Sequence, residues 1–137
     1  MRVHWADNMA LGQPAIDAEH REVIRLLDAV CVSVEARLLE AAQRSVREFA
    51  EFTIEHFANE ERLALTVPQY DNHRHHAIHD IAGQMINALQ NILCDTGDFR
   101  SASAILDNLV PEIIVQIYQD DSDLARELFR APMVSSN

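Results

Sequence analysis

Apolar positions along the chain recur at alternating intervals of four and three, and they do so in four successive stretches. In residues 18–39 the stripe is His20, Ile24, Leu27, Cys31, Val34 and Leu38. In residues 40–65 it is Val46, Phe49, Thr53, His56, Glu60 and Leu63, and in residues 72–93 it is His75, His79, Ala82, Ile86, Leu89 and Leu93. Residues 101–129 contribute Leu106, Leu109, Ile113 and Gln116, followed by an acidic cluster at Asp120, Asp121 and Asp123. Such a rhythm keeps one stripe of a helix turned towards a shared interior, so four helices are predicted. Val67-Pro68 ends the second, because a residue before proline is driven out of the helical region. Asp95-Thr96-Gly97-Asp98 reads as a loop. Pro111 lacks an amide donor and crowds the Asp107 carbonyl, which predicts a kink or a delayed start in the fourth helix. Short connections make neighbours antiparallel. The expected fold is therefore all-α, an up-down-up-down four-helix bundle over about residues 18–130 of a single domain, 1–137. Residues 1–17 read as an extended arm punctuated by Gly12, Gln13 and Pro14, with Asp17 as a candidate helix cap.

Composition narrows the partners. Apolar residues make up 48% of the 137, with only three glycines and four prolines, as a compact helical domain requires. The formal charge is −11 and every basic residue is arginine. That excess of acid repels phosphate backbones and anionic lipid, so neither nucleic acid nor a membrane surface is an expected partner. No stretch approaches the roughly 20 apolar residues of a membrane span, and the first residues lack the shape of a secretion signal. A cytoplasmic protein is expected, with Cys31 and Cys94 as free thiols in apolar surroundings.

The informative residues are the polar ones that fall on the apolar stripe. His20, His56, Glu60, His75 and His79 all lie on it. An unpartnered carboxylate in a core costs several kcal/mol, and a bundle this small tolerates that poorly unless something binds there. His56 and Glu60 are four apart, as are His75 and His79, so each pair projects from one helical face a turn apart. Imidazoles and carboxylates converging in a bundle suit iron, zinc, copper or manganese. Bridging carboxylates point further, to two metals roughly 3.5–4 Å apart. A purely structural zinc site is disfavoured because no thiolate joins the cluster. His4, His73 and His76 fall off the stripe and are excluded. For the fourth stretch, alternatives stay open: Gln116 facing a neighbouring helix, Asp120–Asp123 as a solvated face, and Glu112 turned outward.

Read together, Trp5, Gly12 and Ile16-Asp17-Ala18-Glu19-His20, then His56-Phe57-Ala58-Asn59-Glu60-Glu61, then Tyr70 and the pair His75 and His79, resemble the bacterial hemerythrins over nearly the whole chain. The resemblance implies a centre of two iron ions, oxo- or hydroxo-bridged when oxidised. His20 and His56 would bind the iron that meets oxygen, His75 and His79 the other, and Glu60 would bridge them. The family's last helix adds a third histidine for the second iron and, five residues later, a bridging aspartate. Here Gln116 stands at the histidine position and Asp121 at the aspartate position, with Asp120 a second candidate four residues after Gln116. A family aromatic is replaced by Glu112. A glutamine oxygen is a weaker ligand than an imidazole nitrogen, so the second iron would accept that oxygen, hold water or keep an open position.

The function this implies is reversible binding of dioxygen, or of another small diatomic or peroxide ligand, in a pocket lined by Phe57, Ile113 and Ile117. Carriage, storage or sensing would follow. The first alternative is a di-iron redox enzyme acting on peroxide or nitric oxide, with Glu112 or Tyr118 shuttling protons or electrons. The second is a metal-poor bundle that serves as an interaction module for a protein partner.

Overall fold

The computed structural model describes residues 1–135, with side chains through Phe129. Helix α1 (Pro14–Glu35) starts at Pro14 rather than near Ala18. Proline at the first helical position loses nothing by lacking an amide proton, and its fixed φ already suits the helix. Asp17 is therefore no cap. It lies in the first turn, where its carboxylate accepts the Leu11 amide at 2.7 Å. The arm shortens to residues 1–13 and is packed down, with Val3 and Met9 buried. The Arg2 guanidinium donates to both oxygens of Asp28, and the Arg21 guanidinium lies 5.2 Å from the Trp5 ring centre.

Helix α2 (Leu39–Ala64) follows a short link in which Arg37 adopts a left-handed φ of 55°. Leu38, expected on the core stripe, lies past the end of α1 and is 57% exposed. Leu63 is a second departure, at 38% exposure. The chain turns there: the Thr66 and Val67 amides bond back to the carbonyls of Leu63 and Ala64, and Ala64 and Val67 take the buried positions.

Helix α3 (Asn72–Asn91) is capped by Asp71, whose side chain accepts the Arg74 amide. It runs on into a wider π-helical turn, Ile92–Thr96, which occupies part of the expected loop. Gly97 closes the turn at φ 66°, donating its amide to the Ile92 carbonyl at 2.8 Å. A left-handed residue here favours glycine. The side chain of Asp98 accepts the Arg100 and Ser101 amides and so starts α4 (Phe99–Tyr118).

Pro111 neither delays nor ends that helix. The interruption comes later, at Gln119 (φ −107°, ψ −68°), and a separate helix α5 (Asp120–Ser135) follows. The fourth expected segment is thus two helices. Helix α1 packs on α2 and α4, α3 packs on the same two, and α5 packs on α4. The result is the four-helix bundle, with α5 as an extension. Leu27, Val30, Phe49, Ile86, Leu89, Leu93 and Leu109 are wholly buried along its axis, each contributing about 1.5–3 kcal/mol through lost apolar surface. Among the described residues no helix is long and apolar enough to cross a membrane.

Candidate metal centre

Three of the bundle helices and the extension α5 deliver polar residues to one cluster in the core. His20 comes from α1, His56 and Glu60 from α2, and His75 and His79 from α3. Asp121 arrives from the first turn of α5. All six are at most 4% exposed.

The two carboxylates divide their oxygens between two histidine pairs. Glu60 Oε2 lies 3.0 Å from His20 Nε2 and 3.3 Å from His56 Nε2. Its Oε1 lies 3.1 Å from His79 Nε2 and 3.6 Å from His75 Nε2. Asp121 repeats the division, with Oδ2 3.0 Å from His20 Nε2 and Oδ1 3.5 Å from His75 Nε2. Two compact donor groups result. One comprises His20, His56, Glu60 and Asp121, the other His75, His79, Glu60 and Asp121, with the donor atoms of each within 4.8 Å of one another.

The chemistry of this donor set fits metal ions. Two carboxylates buried side by side cannot both hold their charge cheaply without a cation. Burial raises Asp121 from its ordinary value, and the charge of Glu60 adds to that. Burial acts on Glu60 in the same direction, but the four imidazoles around it outweigh that and hold it well below the usual range. Glu60 Oε1 and Asp121 Oδ1, both on the His75/His79 side, are buried and make no hydrogen bond. The His79 nitrogen is close to Glu60 Oε1 but not aligned with it. Buried acceptors without donors are what a cation satisfies.

Outer contacts aim the imidazoles. His56 donates its Nδ1 proton to Glu19 Oε1 at 2.8 Å, which leaves Nε2 for the centre. His75 Nδ1 pairs with the Tyr70 hydroxyl, which itself donates to the Asp120 carbonyl at 3.1 Å. Glu61 Oε1 accepts from the exposed His76 at 2.6 Å and lies 3.7 Å from His79 Nδ1. The stripe pattern does not mark Glu19, Glu61 or Tyr70 as partners of histidine. Glu19 and Glu61 are each one residue off the stripe, beside His20 and Glu60, and that adjacency was the available signal.

The fourth-helix alternatives separate here. Asp121, not Asp120, reaches the cluster, because the interruption at Gln119 breaks the regular register from Gln116. Asp120 instead pairs through Oδ1 with Arg74 Nη2 at 3.1 Å. Gln116 is 2% exposed, and its side-chain amide donates to the Ile78 carbonyl of α3 at 3.4 Å. Phe57 stacks on the His79 ring, with centres 4.2 Å apart and planes 13° from parallel. Ile113 and Ile117 are buried in the core on α4, and Glu112 is half-buried. Tyr118 does not join the site. It is 40% exposed and its hydroxyl donates to Asn8 Oδ1 at 2.6 Å, tying α4 to the arm. His4, His73 and His76 are exposed.

A family model, the hemerythrin HHE cation binding domain, matches residues 11–128. The chain belongs to this family. The matched range contains every member of both donor groups. The chain is also similar to a bacteriohemerythrin of Stenotrophomonas maltophilia (strain R551-3), at 32% identity over 59 residues. That stretch is 43% of this chain and 39% of the relative, so the two are compared over well under half of either. The match to a cation binding domain and the histidine, glutamate and aspartate site together support a metal-binding role.

The metal-free electrostatics set the proton balance of loading. Burial alone would lower His20, but Asp121 and Glu60 outweigh it and raise His20 to about 10. At pH 7 its Nε2 therefore carries a proton that a metal must displace. Metal loading near neutral pH is expected to release protons, and apparent affinity is expected to rise with pH up to that value. Calorimetric titration in buffers of different ionisation enthalpy measures the release. No release at pH 7 would remove His20 from the set of groups a metal displaces.

Proposed function

We propose that the protein holds two iron ions in this centre and binds dioxygen reversibly, as a carrier, store or sensor. The observation that carries the reading is the division of oxygens: Glu60 and Asp121 each turn one oxygen to each histidine pair. In this reading His20 and His56 hold one ion, His75 and His79 hold the other, and the two carboxylates bridge. When bound, the ions supply the electrons that dioxygen takes up and later returns. The chain's own part is to orient and to exclude water. Glu19 and Tyr70 direct the imidazoles of His56 and His75 inward, while Phe57, Ile113 and Ile117 supply apolar bulk. Apolar walls disfavour loss of a charged ligand to solvent.

A second reading, redox catalysis on peroxide or nitric oxide, is favoured by Gln116. The family's third imidazole is missing on the His75/His79 side, and catalytic metal sites keep open positions. The absorption spectrum of reduced, iron-loaded protein, as oxygen is added and withdrawn, separates the two. Bridged-ferric bands that appear and fade reversibly, with two irons per chain, are expected. Rapid irreversible oxidation would move the assignment to redox catalysis. Failure to bind iron would sink both readings in favour of an interaction module.

A further inference from the structure

We infer that Tyr70 is the positioning residue of the His75/His79 half of the centre, holding His75 and the peptide leading to Asp121 with one hydroxyl. The inference rests on the two-ion reading above and concerns how the second ion is retained. A tyrosine hydroxyl has one proton to give. The Asp120 carbonyl can only accept, so that proton goes to it, at 3.1 Å. The contact with His75 must then run the other way, with His75 Nδ1–H donating to the hydroxyl oxygen. This fixes the imidazole in the form whose Nε2 faces Glu60 and Asp121.

The carbonyl that Tyr70 holds belongs to the peptide joining Asp120 to Asp121. Asp121 follows directly on the interruption at Gln119, so α4 alone does not determine where its carboxylate points. Tyr70 holds that peptide from outside both helices, from the link between α2 and α3. Its own backbone is held on both sides: its amide bonds to the Val67 carbonyl at 3.2 Å, and its carbonyl accepts the Asn72 amide at 3.0 Å. A second side-chain tie, Arg74 to Asp120, involves an arginine side chain that is 61% exposed, and such pairs contribute little.

Two further features make this half depend on the hydroxyl. Gln116 occupies the position where the family pattern has a third imidazole, so fewer nitrogen donors are present to define the half-site. In addition, Tyr70 and His75 line an open cleft of about 270 Å³, together with Arg74, Asp120 and Arg126. Water from that cleft is at hand to take over the His75 hydrogen bond if the hydroxyl is removed, and water imposes neither the ring orientation nor the anchor on Asp120.

The test is a cobalt(II) titration of the metal-free full chain, followed by calorimetry and by the visible spectrum at each equivalent. The wild type is expected to take two ions. Tyr70→Phe is expected to keep the first within about threefold and to weaken the second roughly 10–100-fold, the range for losing an outer partner of a metal-bound histidine. The visible bands of the second equivalent should change with it, which a purely structural loss would not produce selectively. Arg74→Gln removes the ion pair to Asp120 but leaves the hydroxyl, and is expected to bind both ions as the wild type does. Two unchanged affinities in Tyr70→Phe would overturn the inference while leaving the two-ion reading intact. Equal weakening of both ions, or the same selective loss in Arg74→Gln, would also overturn it. A wild type that takes fewer than two ions would remove the two-ion reading and this inference together.

Discussion

Glu60→Ala is expected to leave the protein with almost no bound metal. Glu60 approaches all four imidazoles within 3.6 Å, through Oε2 on one side and Oε1 on the other. Its removal deletes a donor from both groups at once and also takes away a negative charge that would offset bound cations. Outer partners of metal ligands carry roughly 10–100-fold in affinity, and a shared inner donor should exceed that at each half. Metal content after gel filtration, compared with wild type at matched protein concentration, measures the effect. Full retention would refute Glu60 as the bridge. The variant also leaves four imidazoles without their central acceptor in a buried space, and a lowered metal-free melting temperature is expected alongside.

Gln116→His is expected to act in the opposite direction, raising iron retention about tenfold and lengthening the life of an oxygenated form. The side chain lies within the core, and the bond it gives up, to the Ile78 carbonyl, is long at 3.4 Å. A typical bond of this kind contributes about 0.5–1.5 kcal/mol. A factor of ten in retention corresponds to about 1.4 kcal/mol, so a new imidazole ligand needs only a modest net gain to show. Iron release to a chelator and the decay of the oxygenated spectrum are the two measurements. If neither changes, position 116 does not reach the metal, and the α3 backbone contact is its whole role. If retention rises while the oxygenated form still decays rapidly, redox catalysis becomes the better reading of the site.

Much of the fold was readable from one pattern. The four-three spacing placed α1, α2 and α3 to within a few residues, because a buried stripe on a straight helix repeats whatever its neighbours are. The errors cluster at helix ends. Leu38 and Leu63 satisfy the spacing but lie where the chain turns, and both are exposed. Pro111 does not mark a helix boundary: the helix runs through it and breaks eight residues later, at Gln119. A proline constrains its own neighbourhood, whereas a break without proline or glycine depends on what the following residues must reach.

For the centre, the sequence by itself determined which helix faces carry the polar residues, since His20, His56, Glu60, His75 and His79 each occupy a stripe position that must be buried. It also determined the pairing within α2 and α3, because four residues make about one turn. Only the tertiary structure decided how those faces meet. The choice of Asp121 over Asp120 depends on the interruption at Gln119, and the division of each carboxylate between two histidine pairs depends on distances across helices. The contacts of Glu19 with His56 and of Tyr70 with His75 and Asp120 join residues 37, 5 and 50 positions apart. Spacing along a chain records which side of one helix a residue occupies. It does not record the rotation and level at which two helices pack, and the contacts of Glu19 with His56 and of Tyr70 with Asp120 are made across that packing.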